Sequence, residues 1–136
     1  MPNRRRHRRI QMPPPMEGYK PFGVPMRELE SVVMSFEEYE ALRLADYENL
    51  TQEEAAKRMN ISRPTFTRLY DKVRKNIARA FVEGKAILIR GGTFVSEEYW
   101  YRCNTCHETI VSSKPETTCG KCNSDDIARL DEKDIG

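Results

Sequence analysis

No stretch of this sequence is apolar over the roughly 20 residues that a membrane-spanning helix requires. The opening run MPNRRRHRRIQMPPP is basic, but no hydrophobic core follows it. It therefore reads as neither a secretory nor a twin-arginine leader, and a cytoplasmic location is the expectation. The marks of catalysis are missing as well. There is no cleft-like pair of carboxylates, no nucleophile with a base and no glycine loop for phosphate; Gly91-Gly92 is an isolated turn. The chain reads as a non-enzyme. Apolar material is also sparse: 32% of residues are charged and the mean hydropathy is −0.74, so any core is modest.

What is present is sharply segregated charge. Residues 1–20 carry a net +5, residues 21–54 a net −7, residues 55–95 a net +8 and residues 96–136 a net −4. Basic blocks of this kind suit a polyanion, although each also reads as the solvated face of a helix. The same divisions organise the chain. Residues 1–28 are a basic, Pro-rich arm without expected regular structure. Residues 29–95 form a helical domain that closes with a Gly-punctuated β segment over 84–95. Residues 96–136 hold all four cysteines.

Helix boundaries are clear within 29–83. Ser35-Phe-Glu-Glu38 and Thr51-Gln-Glu-Glu54 are capping boxes, in which hydroxyl and carboxylate satisfy each other's backbone amides. Asn60 suits a left-handed helix end, Ser62 caps a third helix with Pro64 in its first turn, and Gly84 stops it. The apolar series Phe66, Leu69, Tyr70, Val73, Ile77, Ala80 and Phe81 gives that helix its inward face.

Two helices joined through Asn60-Ile61-Ser62 make a helix–turn–helix. Ala55 and Ala56 permit a close crossing, with Met59, Ile61, Phe66 and Leu69 as the wedge. Arg63, Thr65, Thr67, Arg68, Asp71 and Lys72 then point outward from the start of the third helix. The pattern suits double-stranded DNA in the major groove: Arg68 for a guanine, Thr65 and Thr67 for a thymine methyl or a phosphate, and Arg63 for a phosphate or alternatively a base. Lys72, Arg74, Lys75 and Arg79 continue the basic side, or are in part simply solvated. Arg4, Arg5, Arg6, Arg8 and Arg9 form an arm able to enter a minor groove, or alternatively a solubilising tail.

LTQEEAAKRMNISRPTFTRLYDKVRKNIARAF resembles the helix–turn–helix of the fourth region of bacterial sigma factors. RRRHRRI, FEEYEALRLADYENLTQEEAA, ISRPTFTRL and GKAILIRGG, spread over residues 4–92, resemble an uncharacterised family of predicted DNA-binding proteins, domain of unknown function 134. The resemblance implies a regulator-like role without a target. Asn60 stands where that family usually has Gly. The resemblance does not require the cysteine segment, which reads as an appended module.

Cys103-Asn-Thr-Cys106 and Cys119-Gly-Lys-Cys122 are two C-x-x-C pairs twelve residues apart. Four thiolates so spaced surround one tetrahedral ion, as in a zinc ribbon. CNTCH alone has the spacing of a covalent haem site, but haem leaves the second pair unexplained. Zinc is the expected metal. A rubredoxin-type iron or an iron–sulfur cluster takes the same ligands. Strands are expected at 98–102, 108–112 and 126–130, with Gly120 bending the second pair. Tyr99, Trp100 and Tyr101 stack on bases, grip a protein or form the module's own core.

The expected fold is mainly α: a helix–turn–helix domain with a long recognition helix, a short β segment and a small C-terminal β zinc ribbon. The expected function is that of a sequence-specific DNA-binding transcriptional regulator, with a homodimer compatible with its size. The alternatives are a redox or electron-transfer protein and an adaptor that contacts RNA polymerase.

Overall fold

In a computed structural model that describes residues 8–92 and 94–131, two distant segments meet. Strand β2 (Ser31–Met34) runs parallel to β3 (Ala86–Ile89), and three helices fill the connection between them. Strand β1 (Gly18–Tyr19) pairs antiparallel with the other edge of β3, which gives the order β1-β3-β2. The helices are α1 (Phe36–Leu42), continued by a π-helical turn at Arg43–Tyr47, then α2 (Gln52–Met59) and α3 (Arg63–Glu83). A second, antiparallel sheet follows with order β5-β4-β6, made of β4 (Tyr99–Cys103), β5 (Thr109–Ser112) and β6 (Ile127–Arg129).

The fold is thus mixed α/β, where the sequence suggested mainly α. The difference lies in residues 29–34, expected to be helical. Ser31–Met34 alternates exposed and buried positions and holds the adjacent β-branched pair Val32-Val33. Such residues fit a half-buried strand better than a helix. The expected β segment supplies its partner, with Val32 opposite Ile87 and Met34 opposite Ile89.

Local chemistry sets the helix ends. Both capping boxes form: Ser35 Oγ accepts from the Glu38 amide at 3.1 Å, and Thr51 Oγ1 accepts from the Glu54 amide at 3.1 Å. Their carboxylates accept from the Ser35 and Thr51 amides in return. Asn60, at φ 60° and ψ 43°, terminates α2 in the left-handed region, and Gly84 does the same for α3. Asn49 is left-handed too, and it turns the chain between the π turn and α2.

Two hydrophobic cores result. Ala41, Leu44, Ala55, Ala56, Met59 and Phe66 pack where α1, α2 and the start of α3 cross. Ile10, Met34, Phe36, Val73, Ile89 and Trp100 form the other, between α1, α3 and both sheets. Phe81, expected on the inward face of α3, is 86% exposed. Val73, Ile77 and Ala80 keep that face, and Phe81 lies about 100° past Ala80 around the helix.

The Pro-rich segment is more ordered than expected. Ile10 is buried, Pro13 and Pro14 are covered, and β1 adds to the sheet. The Ile10 amide donates to Val95 O at 3.2 Å, and the Arg9 amide donates to Met59 O at 3.0 Å. Trp100 belongs to the cysteine-bearing segment yet is wholly buried among residues of the helical part. Its ring centroid lies 5.2 Å from that of Phe94 and 6.5 Å from that of Phe36. Trp100→Ala is expected to destabilise the chain by about 3–5 kcal/mol. Urea unfolding followed by far-UV circular dichroism checks it: the helical transition itself moves to lower urea, whereas an independent module leaves it in place.

Candidate functional site

The exposed start of α3 is braced by hydrogen bonds. Ser62 Oγ accepts from the Thr65 amide at 3.3 Å and donates to Thr65 Oγ1 at 2.9 Å. Arg68 Nη2 donates to the same Thr65 Oγ1 at 3.3 Å. The hydroxyl of Thr67 donates to Gln52 Oε1, which ties α3 to the first turn of α2. Tyr70 OH donates to Asp46 Oδ1 at 2.6 Å, which anchors α3 to the π turn; that bond to the carboxylate raises the phenol's pKa. Arg63 and Arg68 are exposed, while Thr65 and Thr67 are half-buried.

The other expected contact residues fare differently. Lys72 is exposed, but its Nζ lies 3.2 Å from the buried carboxylate of Glu38. Arg8 turns inward and pairs with Glu37. Arg9 is exposed beside Val95. Arg4, Arg5 and Arg6 lie outside the described residues. Arg74 stacks over the Tyr70 ring at 5.2 Å.

Part of the charge segregation is therefore internal. Glu37, Glu38 and Glu40 are all buried on α1, and each faces a cation. Glu40 accepts from Arg43 Nε at 2.9 Å, from Arg43 Nη2 at 3.0 Å and from the Gln11 amide at 3.0 Å. The hydrogen bonds that Arg43 donates to Glu40, opposed by partial burial, hold its guanidinium above its ordinary pKa. Within the acidic block, Glu37 is a buried counter-charge for the arm and Glu38 for α3.

The four cysteines converge. The Sγ atoms of Cys103, Cys106, Cys119 and Cys122 all lie within 4.8 Å of one another. Cys103 and Cys122 sulfurs are 3.6 Å apart, and those of Cys106 and Cys119 are 3.7 Å apart. A tetrahedron with metal–sulfur bonds of about 2.3 Å has edges of about 3.8 Å, so the set fits one metal ion. These separations are far beyond a disulfide bond.

The two turns are equivalent bond for bond. The Cys103 amide donates to Glu108 O at 2.9 Å, and the Cys119 amide to Ser124 O at 2.8 Å. The His107 amide donates to Cys103 O, and the Asn123 amide to Cys119 O. His107 and Asn123 both sit in the left-handed region, at φ 66° and 65°. Gly120, expected to bend the second turn, has no left-handed φ and open space around it. The bending residues are the ones just after each pair, a role that the sequence signals only through Asn, which tolerates this conformation. The Cys106 amide, with that of Thr105, points at the Cys103 sulfur and lowers its pKa to about 6. The Cys122 and Lys121 amides also lower the pKa of the Cys119 thiol.

Of the aromatics, Tyr101 is buried and its hydroxyl accepts from the Glu116 amide at 3.0 Å. Tyr99 lies under the Arg129 guanidinium at 4.7 Å. With Trp100 in the shared core, these rings serve packing. No described helix is long and apolar enough to cross a membrane.

Comparison with known proteins gives a consistent result. A "UPF0251 protein" of Moorella thermoacetica is 43% identical over 122 residues, covering 89% of this chain and 82% of the relative. One from Chloroherpeton thalassium is 39% identical over 129 residues, covering 93% and 85%. One from Pelotomaculum thermopropionicum is 39% identical over 132 residues, covering 96% and 100%. No solved structure matches. The model of one family spans residues 1–97, and with these relatives it establishes that the chain belongs to the family described as "Protein of unknown function DUF134".

Proposed function

We propose that the chain is a sequence-specific DNA-binding protein that regulates transcription. In this reading α2 and α3 are a helix–turn–helix, α3 enters the major groove with its first two turns, and the cysteines hold one structural zinc ion. The observation that carries the reading is the start of α3: a close crossing at the buried Ala55 and Ala56 presents Arg63 and Arg68 outward.

The roles within this surface differ from those the sequence suggests. Arg68 reads a base, with a guanine as the natural partner of a guanidinium in that groove. Thr65 is a positioning residue, because its hydroxyl already holds Arg68 and is itself held by Ser62. Thr67 fixes the angle between helices through Gln52. Arg63 contacts the phosphate backbone, while Arg8 is committed to Glu37. The experiment for the whole reading is binding-site selection from random duplexes, with the metal content of the same preparation measured.

Two outcomes are specific. Arg68→Ala weakens binding to the selected duplex by about 1–3 kcal/mol and relaxes preference at one base pair. Arg63→Ala weakens all sequences alike and flattens the salt dependence by roughly 0.9 in log–log slope. Fluorescence anisotropy titrations at several salt concentrations measure both, and an Arg68→Ala protein with intact affinity and preference removes the base-reading assignment. For the metal, elemental analysis is expected to find one zinc per chain in a colourless protein, lost in Cys103→Ser and in Cys119→Ser. A coloured preparation containing iron replaces zinc in this scheme.

A further inference from the structure

The second sheet has little of its own to hold it. Among the described residues from 96 onward, the buried apolar side chains are Trp100, Tyr101, Cys103 and Cys119. Trp100 points into the helical core, and two of the others are thiols of the four-cysteine cluster. What remains is one tyrosine, too little apolar surface to order some 35 residues against their conformational entropy. Beyond the anchorage of Trp100 in the helical core, the order of β4 therefore depends on what binds the cysteines.

Strand β4 is also built into the helical part. Trp100 shares its core with Phe36 of α1 and Val73 of α3. Two residues on, the buried Arg102 guanidinium donates to Pro14 O at 2.9 Å and Met16 O at 3.4 Å. The segment it grips leads back to Ile10, in the core, and to Arg9, whose amide donates to Met59 O at the last turn of α2. Cys103 follows Arg102 directly. One strand thus touches the thiol cluster at its end, α3 through Trp100, and the C-terminus of α2 through Arg102 and the 9–16 segment.

We propose that metal occupancy of the four cysteines controls the α2–α3 unit: the ion holds β4, and β4 holds the two helices in their crossing. Its consequence for DNA rests on the function proposed above; its consequence for α3 does not. Because coupling between two binding events is reciprocal, DNA strengthens zinc binding by the factor by which zinc strengthens DNA binding.

The test uses the full chain loaded with Zn²⁺ and the same protein stripped by a chelator. Trp100 is the sole tryptophan and is fully buried, so its emission reports β4 directly. On stripping, emission is expected to shift to the red, and affinity for the selected duplex to fall roughly tenfold or more. Competition with a chromophoric chelator is expected to show zinc held more tightly by the same factor when that duplex is saturating. Arg102→Met keeps all four thiols and a flexible side chain; it is expected to retain one zinc and to show a coupling factor close to one. The proposal is overturned by emission that does not respond to stripping, or by unchanged DNA affinity once emission has moved. An Arg102→Met protein with undiminished coupling overturns the route through that side chain. Should neither form bind any duplex, the DNA reading fails, and hydrogen exchange decides the rest. Faster exchange of α3 amides around Val73 in the stripped protein supports the coupling, and equal rates overturn it.

Discussion

Trp100 occupies the space that α1, α3 and the first sheet leave between them, and neither half of the chain can fill that space alone. The helical part contributes Phe36, Val73 and Ile89, and the Pro-rich segment contributes Ile10. The indole closes the gap against Phe36 and Phe94 at ring distances typical of edge and tilted aromatic contacts. Its N–H meets no acceptor among the described residues, so packing alone fixes the ring. A buried aromatic of this size is a large share of the apolar burial in a chain of such low hydropathy. The cysteine-bearing sheet is therefore a structural member of the helical core, which an appended module would not be.

A second constraint is electrostatic. One turn of α1 buries the carboxylates of Glu37, Glu38 and Glu40, and a buried carboxylate must be matched by a cation and hydrogen bonds. Arg8, Lys72 and Arg43 supply the match from three different parts of the chain. This arrangement fixes where the arm begins its path and which face α3 turns toward α1. It also engages Arg8 and Lys72 within the chain, while Arg63 and Arg68 stay exposed.

Features that depend on a few neighbouring residues were legible in the sequence. Ser35 with Glu38, Thr51 with Glu54, Asn60, Ser62 with Pro64 and Gly84 each settle a helix end by local hydrogen bonding or backbone conformation. The four thiols were legible because metal ligation imposes a spacing. Strand β2 was not: its four residues take meaning only from Ala86–Ile89, across the whole helical unit. Strand β1 is two residues long and carries no period at all. Trp100 and Arg102 read as ordinary strand residues, since the space they enter belongs to segments that are distant in sequence. The bonds that engage the hydroxyls of Thr65 and Thr67, with Arg68 and Gln52, leave no mark in the sequence, where only the residue types are visible.

The two equivalent cysteine turns are not equally placed. Cys103 and Cys119 are buried, Cys106 is half-covered and Cys122 is open to solvent. Each inner sulfur also faces two backbone amides, those of Thr105 and Cys106 or of Lys121 and Cys122, whereas each outer sulfur faces one, that of Glu108 or Ser124. Access to the cluster is accordingly one-sided: a thiol or an electrophile arriving from solvent meets Cys122 before the other three sulfurs.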